Sequence, residues 1–318
     1  MRLQRVLWEF VVALVKLALL AYFCLRAYRI RLHAVKEFGY VIHEFDPWFH
    51  YRATVYLAEQ GWHKFFHWYD YMSWYPLGRP VGTTIYPGMQ IAAVAIWRAM
   101  EAIPRRQVPY PAELLAQLPK WLITKLPNRG KPLDFGPMSL NDVCVFVPAW
   151  FGVVATAFLG LLTYECSRSV DAAIFAALIM SVLPAHIMRS VAGGFDNECV
   201  AISALCSTFY FWCLSLRSSS SWPVGVVAGV AYFGMVASWG GYVYVLNMIG
   251  LHAVLLAVGG RFDSKLHRAY SLFYVVGTAL AIRVPVVGMT PLRSLEQMGP
   301  LGVFLLFQVL EFCEVVRR

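Results

Sequence analysis

Long apolar runs dominate the chain, and most approach the roughly 20 residues that a helix needs to cross the hydrocarbon core of a bilayer. The first run extends to about residue 28 and is too long for a signal-peptide core, with no small-x-small cleavage site. Further runs lie near residues 142–164, 172–188, 199–216, 222–238, 241–258, 269–285 and 299–315. The pattern predicts an all-α polytopic membrane protein with about eight transmembrane helices.

Residues 29–141 interrupt this pattern with histidines, tryptophans, acids and prolines, which are typical of a water-facing segment. Within it, residues 86–103 are apolar but contain Gln90, Arg98 and Glu101. That mixture favours an amphipathic helix at the membrane interface over a further span. We therefore expect a long first loop that contains interfacial helices.

Residues 104–137 are rich in proline and predict an irregular loop with a short helix over residues 111–125. The expected regions are a first transmembrane helix over 1–28, a long first loop over 29–141 and a seven-helix transmembrane region over 142–318.

Composition supports the membrane interpretation. Hydrophobic residues make up 59% of the chain and charged residues 14%, against about 25% charged in soluble domains. Too few polar groups remain to cover a water-soluble surface, which excludes a soluble, disordered, coiled-coil or disulfide-rich secreted protein. The seven cysteines are odd in number and lie mostly in apolar runs, as expected of small buried side chains.

Basic residues set the expected orientation. The connectors near 165–171, 217–221 and 259–268 carry Arg or Lys, as do residues 317–318. Because Lys and Arg collect on the cytoplasmic side of membrane proteins, we expect these connectors there and the long first loop on the opposite side of the membrane. The net charge of +9 is therefore no evidence for a nucleic-acid partner.

Within the first run, Glu9 and Lys16 share a helix face, which favours a contact with a neighbouring helix over a proton relay.

Two short segments concentrate carboxylates at helix ends beside the long loop: residues 43–52 (HEFDPWFHYR) and residues 189–198 (RSVAGGFDNE). An unpaired carboxylate at a membrane boundary is costly, so each should be paired, metal-bound or protonated. Asp46 precedes a proline, which predicts a fixed, non-helical backbone suited to a rigid ligand. Asp196 and Glu198 alternate in a turn, so both can face one ion.

Carboxylates without a Cys or His cluster suit a hard divalent ion such as Mg²⁺ or Mn²⁺, acting on a phosphate or diphosphate. Arg189 would clamp a phosphate oxygen or hold a carboxylate. The alternative is that Asp196 and Glu198 only cap the next helix, where acids are favourable, and that Asp46 belongs to a common Asp-Pro turn. Spacing alone leaves both interpretations open.

These two segments, with residues 74–87 (WYPLGRPVGTTIYP) and 239–242 (WGGY), resemble the catalytic subunit of the eukaryotic oligosaccharyltransferase, in order and over essentially the whole chain. The resemblance implies transfer of a preassembled oligosaccharide from dolichyl diphosphate to the asparagine amide of Asn-x-Ser/Thr. It implies a Mn²⁺ or Mg²⁺ cofactor and an inverting reaction in the endoplasmic reticulum membrane with a luminal site. The expected partners are the lipid-linked donor, the acceptor polypeptide, membrane lipid and other oligosaccharyltransferase subunits, but no nucleic acid.

The resemblance also implies residue roles. Asp46 resembles the first-loop acid that binds the ion and contacts the acceptor amide, and Asp196 and Glu198 resemble the second acidic motif, with Asp196 the direct ligand. Arg189 matches an arginine near the carboxylates and diphosphate, and Tyr242 an aromatic residue near the donor. His50 departs from the family, which commonly has asparagine there.

Two family features are not found in the sequence: a later luminal loop with a glutamate, and a C-terminal domain with a Trp-Trp-Asp motif that reads the acceptor. The chain therefore resembles the N-terminal portion and is expected to be inactive alone. A transporter or flippase would instead place acids at mid-span in paired, broken helices. A transferase of single sugars from polyprenyl phosphate would lack the 189–198 segment.

Overall fold

The computed structural model describes residues 2–104, 106–108, 111, 119 and 133–317 of the chain. Within them the α-helices are α1 Arg2–Arg31, α2 His33–Phe38, α3 Phe45–Phe66, α4 Val81–Thr84, α5 Gly88–Glu101, α6 Leu140–Ser167, α7 Val170–Val182, α8 Pro184–Met188, α9 Asn197–Ser215, α10 Val224–Ser238, α11 Tyr242–Leu256, α12 Ser264–Ala281 and α13 Leu295–Arg317. A π-helical turn, Ala257–Arg261, follows α11, and a 3₁₀ turn, Thr290–Leu292, precedes α13.

Two short strands, β1 Arg106–Val108 and β2 Leu133–Phe135, pair antiparallel with Arg106 opposite Phe135. They lie in the segment predicted to be an irregular loop, so that prediction is wrong at these positions. Three-residue strands contain too few side chains to produce a recognisable alternation in the sequence. The helix predicted over 111–125 falls almost entirely outside the described residues. The helical class of the membrane region is confirmed.

In the part of the chain that the structure describes, five helices are long and apolar enough to cross a bilayer: Val6–Arg31, Leu140–Ser167, Asn197–Ser215, Tyr242–Arg261 and Leu295–Arg317. Val170–Val182 and Val224–Ser238 are apolar but shorter. The remaining predicted span falls on α12, which belongs to neither set. The structure thus supports a helical membrane protein, and the number of eight spans stays a prediction.

Helix α5 occupies the segment expected to lie at the interface. Its 14 residues extend about 21 Å, less than the roughly 30 Å hydrocarbon core. It buries Met89, Gln90, Ala93 and Val94 and packs against α3 and α6. Because α7 and α10, which were predicted to span, have only 13 and 15 residues, length alone does not place α5, and its interfacial position stays a prediction.

Packing between the apolar helices depends on small residues. A Cβ at Gly225 would lie 2.5 Å from the Ala269 carbonyl oxygen, and one at Gly229 would lie 3.0 Å from the Phe273 carbonyl oxygen. These glycines let α10 approach α12 closely, as small residues do between membrane helices.

An ion pair joins two other helices: the Lys16 ammonium on α1 pairs with the Asp171 carboxylate on α7 at 2.9 Å. This is the contact with a neighbouring helix that the sequence favours for Lys16.

Candidate active site

The segment between α8 and α9, residues 189–196, is fixed by backbone hydrogen bonds to three distant parts of the chain. Ala192 N–H donates to the Arg31 carbonyl at 2.9 Å, and Gly193 N–H donates to the Val145 carbonyl at 2.9 Å. His43 N–H in turn donates to the Gly193 carbonyl at 3.0 Å. The last bond joins the two acidic segments directly, although about 150 residues separate them in sequence.

Gly193 is required for this close approach. Its φ is +92°, and a Cβ there would lie 2.5 Å from both the Val41 carbonyl oxygen and the His43 ring. Residues with a side chain rarely adopt that backbone conformation. The glycine pair in the sequence therefore lets the loop pack against the segment that precedes α3.

Arg31, at the end of α1, anchors the start of the same loop. Its side chain is fully buried, and Nε donates to the Ser190 hydroxyl at 2.8 Å while Nη1 donates to the Ala27 carbonyl at 2.8 Å. Its Nη2 contacts His186 Nδ1 at 2.8 Å, so that ring nitrogen acts as the acceptor. The guanidinium thereby ties α1 to α8 and the loop.

Asp196 has an extended backbone at the N-cap of α9, with φ −126° and ψ 155°. Its Oδ1 accepts from the Asn197 N–H at 2.7 Å and also lies 3.3 Å from His50 Nε2 on α3. Burial is the largest influence on the pKa of Asp196 and raises it, but hydrogen bonding and charge from His50, together with the Asn197 N–H, outweigh burial. The pKa is therefore below its ordinary value, and Asp196 is held as a carboxylate.

Glu198 lies in the first turn of α9, beside Asp196. Its Oε1 is 4.0 Å from Nη1 of Arg189, whose side chain is 55% exposed. Its Oε2 is buried and accepts no hydrogen bond from the described residues. A buried carboxylate oxygen without a donor is costly and is satisfied by a cation or a proton.

Asp46 lies in the first turn of α3, which begins at Phe45. The prediction of a non-helical backbone at Asp46 is therefore wrong. Proline is tolerated in a first helical turn because its missing N–H would have no partner there, so Pro47 permits the helix. Asp46 is exposed and lies one turn before His50, about 6 Å along the helix axis.

Asp46 lies on the wall of an aromatic groove of about 740 Å³ that also includes Phe49, Trp74 and Arg79. The Arg79 guanidinium carbon lies 5.0 Å from the Phe49 ring centre and 5.4 Å from that of Trp74, within the range of cation–π attraction. Arg79 Nε also donates to the Thr84 hydroxyl at 2.8 Å. The groove thus presents aromatic surface beside a carboxylate and a guanidinium.

Tyr242 is placed differently from the acids. It begins α11, is 4% exposed and belongs to the hydrophobic core. Its hydroxyl accepts from the Gln297 amide at 3.2 Å. The proposed role of Tyr242 beside the donor therefore stays a prediction.

The structure brings Asp196, Glu198 and Arg189 together and places the helix that carries Asp46 against Asp196. Within the described ranges, no group of three or more His, Cys, Asp or Glu side chains has the spacing of a metal site. Convergence of Asp46 with the other two carboxylates on one ion thus stays a prediction.

Three contributors to the site are not evident from sequence: Arg31, Gln90 and the contact of His50 with Asp196. The separations are large, since Arg31 contacts Ser190 across 159 positions. The sequence does show that His50 departs from the family pattern and that an arginine ends the first apolar run. Neither feature indicates which residues the His50 and Arg31 side chains contact.

Comparison with solved structures shows the fold. The chain is similar to the apo crystal structure of the Archaeoglobus fulgidus oligosaccharyltransferase, with a TM-score of 0.69 and 18% identity over 94% of this chain and 34% of that one. It is also similar to the archaeal oligosaccharyltransferase AglB from Archaeoglobus fulgidus in complex with an inhibitory peptide and a dolichol-phosphate, with a TM-score of 0.66 and 19% identity. That match covers 94% of this chain and 34% of the archaeal chain.

Comparison with known sequences shows the family. The chain is 40% identical over 291 residues to the dolichyl-diphosphooligosaccharide–protein glycosyltransferase subunit STT3 of Saccharomyces cerevisiae, covering 90% of this chain and 36% of that protein. It is 39% identical over 289 residues to the corresponding subunit of Caenorhabditis elegans, covering 91% and 34%. The chain thus spans about a third of the length of these relatives. The family model described as oligosaccharyl transferase STT3, N-terminal, matches residues 10–318, and the chain therefore belongs to that family.

Proposed function

We propose that the protein carrying this chain transfers a preassembled oligosaccharide from a dolichyl diphosphate to the asparagine amide of Asn-x-Ser/Thr. The observation that carries the proposal is the pairing of Asp196 and Glu198 beside Arg189, with a buried Glu198 oxygen that accepts no hydrogen bond from any residue the structure describes. This arrangement suits a divalent cation facing an anionic leaving group. The names of the relatives denote a dolichyl-diphosphooligosaccharide–protein glycosyltransferase, which supports the donor and the transfer to protein in this proposal.

Mn²⁺ or Mg²⁺ fits the donor atoms of the proposed site. Such ions are commonly held by one or two carboxylates, with waters and substrate phosphates completing the shell, and Asp196 and Glu198 supply two carboxylates. Bound there, the cation supplies electrostatic stabilisation of the departing diphosphate. A similar archaeal structure is titled as a complex with Zn and sulfate, so that protein was crystallised with a divalent cation and an anion.

The chain's own residues position the two substrates. Arg189 is half-exposed, so its remaining N–H groups can donate to diphosphate oxygens. The Asp46 carboxylate accepts hydrogen bonds from the acceptor amide N–H₂ and orients that weak nucleophile toward the sugar. Orientation of this kind lowers a barrier by up to about 7–11 kcal/mol in well-aligned cases.

Placement at the end of apolar helices suits an amphipathic donor. The polyprenyl tail stays in lipid while the glycan and acceptor stay in water, on the luminal side of the endoplasmic reticulum membrane. Similar archaeal structures are titled with a dolichol-phosphate and with an acceptor peptide containing the NVT sequon. Other oligosaccharyltransferase subunits complete the proposed set of partners.

The test measures glycopeptide formation by the purified enzyme with lipid-linked oligosaccharide, Mn²⁺ and an Asn-x-Thr peptide. We expect Asp196→Asn to lower the rate at least 100-fold, because asparagine still caps a helix but lacks the charge that holds the ion. The matched control is Asp263→Asn, because Asp263 is likewise a helix N-cap, accepting from the Leu266 N–H at the start of α12. Near-normal transfer by well-folded Asp196→Asn protein would contradict the proposal and leave Asp196 as a capping residue only.

A further inference from the structure

His50 is held on both sides of its ring. It is 8% exposed, with Nδ1 lying 2.9 Å from the Gln90 side-chain amide and Nε2 lying 3.3 Å from Asp196 Oδ1. Gln90 is fully buried on α5. The ring therefore connects α5 with the carboxylate at the start of α9.

The atoms around the Gln90 side-chain amide determine which nitrogen of the His50 ring carries the hydrogen. When its amide nitrogen faces away from the ring, it donates to the Tyr86 carbonyl at 3.0 Å and to the Pro87 carbonyl at 3.3 Å. In the opposite orientation, the side-chain oxygen of Gln90 would face those two carbonyl oxygens, which would repel it. The Gln90 oxygen therefore accepts from Nδ1–H of His50, and in the neutral ring the Nε2 lone pair faces Asp196.

His50 Nε2 and the Asp196 oxygen, 3.3 Å apart, are held together either by the Nε2 proton of the hydrogen bond described above or by a cation that replaces that proton and binds the Nε2 lone pair. Two adjacent ligand atoms each about 2.1 Å from an ion lie about 3.0 Å apart in octahedral and about 3.4 Å apart in tetrahedral coordination. The 3.3 Å between His50 Nε2 and Asp196 Oδ1 lies between these two values. A metal-binding histidine also typically donates its other ring N–H to an oxygen, as His50 does to Gln90.

We propose that His50 Nε2 is a ligand of the divalent cation, adjacent to Asp196, and that Gln90 orients the ring for this role. The proposal rests on the cation site of the proposed function. With His50 as a ligand, the cation is bound in this chain by both nitrogen and oxygen atoms rather than by oxygen atoms alone. An imidazole ligand favours Mn²⁺, Co²⁺ or Zn²⁺ over Mg²⁺.

The test is pulsed electron paramagnetic resonance of Mn²⁺ bound to the protein purified in detergent, which detects a nitrogen nucleus bound to the ion. We expect a ¹⁴N coupling in the wild type that changes to a ¹⁵N coupling after labelling with ¹⁵N-histidine. The coupling should disappear in His50→Asn and persist in His63→Asn, the matched control, because His63 is exposed farther along α3. Gln90→Met should raise the Mn²⁺ Kd about 10- to 100-fold.

The outcomes separate this proposal from the proposed function. Mn²⁺ binding that depends on Asp196 but shows no nitrogen coupling in the wild type would overturn the role of His50 and leave the cation site standing. A coupling that persists in His50→Asn would assign the ligand to another histidine and would also overturn the proposal. Labelling the wild type with ¹⁵N-histidine keeps the test valid if a variant fails to fold. Mn²⁺ affinity unchanged by Asp196→Asn would instead reject the cation site itself.

Discussion

At the scale of single residues, Asp70 shows how the first loop is fixed to α3. It is 2% exposed, yet its carboxylate accepts from Arg52 Nε at 2.9 Å and Nη2 at 3.0 Å. It also accepts from the Ser73 hydroxyl at 2.6 Å and the Met72 N–H at 3.1 Å. Because Arg52 lies two residues after His50, this ion pair holds the same stretch of α3 that faces Asp196.

Asp70→Asn should lower the free energy of unfolding by about 1–3 kcal/mol at neutral pH, because it weakens hydrogen bonds to a charged group. The control Glu37→Gln removes an exposed ion pair with His33 in the first loop and should cost only about 0–1 kcal/mol. Thermal unfolding in detergent measures both variants. Equal losses for the two would contradict the structural role of Asp70.

The effect of Asp70 should also depend on pH. Burial, the largest influence, raises its pKa, but the hydrogen bonds from Ser73, Arg52 and Met72 outweigh burial and hold the pKa below its ordinary value. The ionised carboxylate therefore stabilises the fold fully above the unfolded pKa of about 3.9 and progressively less as the pH falls through the folded value. The difference in stability between wild type and Asp70→Asn should shrink below about pH 4.

The sequence identified individual site residues where they share one short segment. Arg189, Asp196 and Glu198 lie within ten positions, so local spacing alone was enough to group them. The partner of His50 was not predictable, because the contact depends on how α3, α5 and α9 pack. The same holds for Arg31, since no local pattern relates the end of α1 to the loop after α8.

At the scale of elements, the loop between α8 and α9 is a short connection whose shape is set from outside. Its backbone groups bond to Arg31, His43 and Val145, which lie on or beside other helices. The loop then places Asp196 at the N-cap of α9. Its geometry is therefore a consequence of tertiary packing and of the glycine at 193.

Gly193→Ala should destabilise the protein by about 1–3 kcal/mol, because alanine is strained at positive φ and its Cβ would meet backbone that cannot move away. The matched control is Gly194→Ala, whose Cβ would lie 3.3 Å from Val191 atoms with no positive φ. Thermal unfolding in detergent compares the two. A Gly193→Ala variant as stable as wild type would show that the loop adapts, contrary to the fixed geometry described here.

Most helices were predictable because apolar runs of this length have few alternatives to a helix in a membrane. The helical backbone of Asp46 was not predictable, because the residue before a proline usually has an extended backbone. Here Pro47 falls in a first turn, where the same residue type is compatible with a helix. The paired strands were missed for a different reason, because their few residues contain no periodic signal.

At the scale of the whole molecule, α3 and the loop before α9 meet where apolar helices end. Helix α9 packs between α6 and α10, and α10 packs against α12. This bundle holds the start of α9 in place, while α3 and α5 approach it from the first loop. The candidate site is therefore built between the transmembrane bundle and the long loop, a position that suits the proposed lipid-linked donor and the proposed water-borne acceptor.

The central claim is that Asp46, Asp196 and Glu198 converge on one divalent cation. The most direct measurement is a density map of the purified protein with Mn²⁺, using anomalous scattering to locate the ion. We predict a single Mn²⁺ peak within about 2.0–2.6 Å of oxygens from Asp196, Glu198 and Asp46. A peak bound elsewhere, or one at Asp196 with no Asp46 oxygen within about 2.6 Å of the ion, would contradict the account.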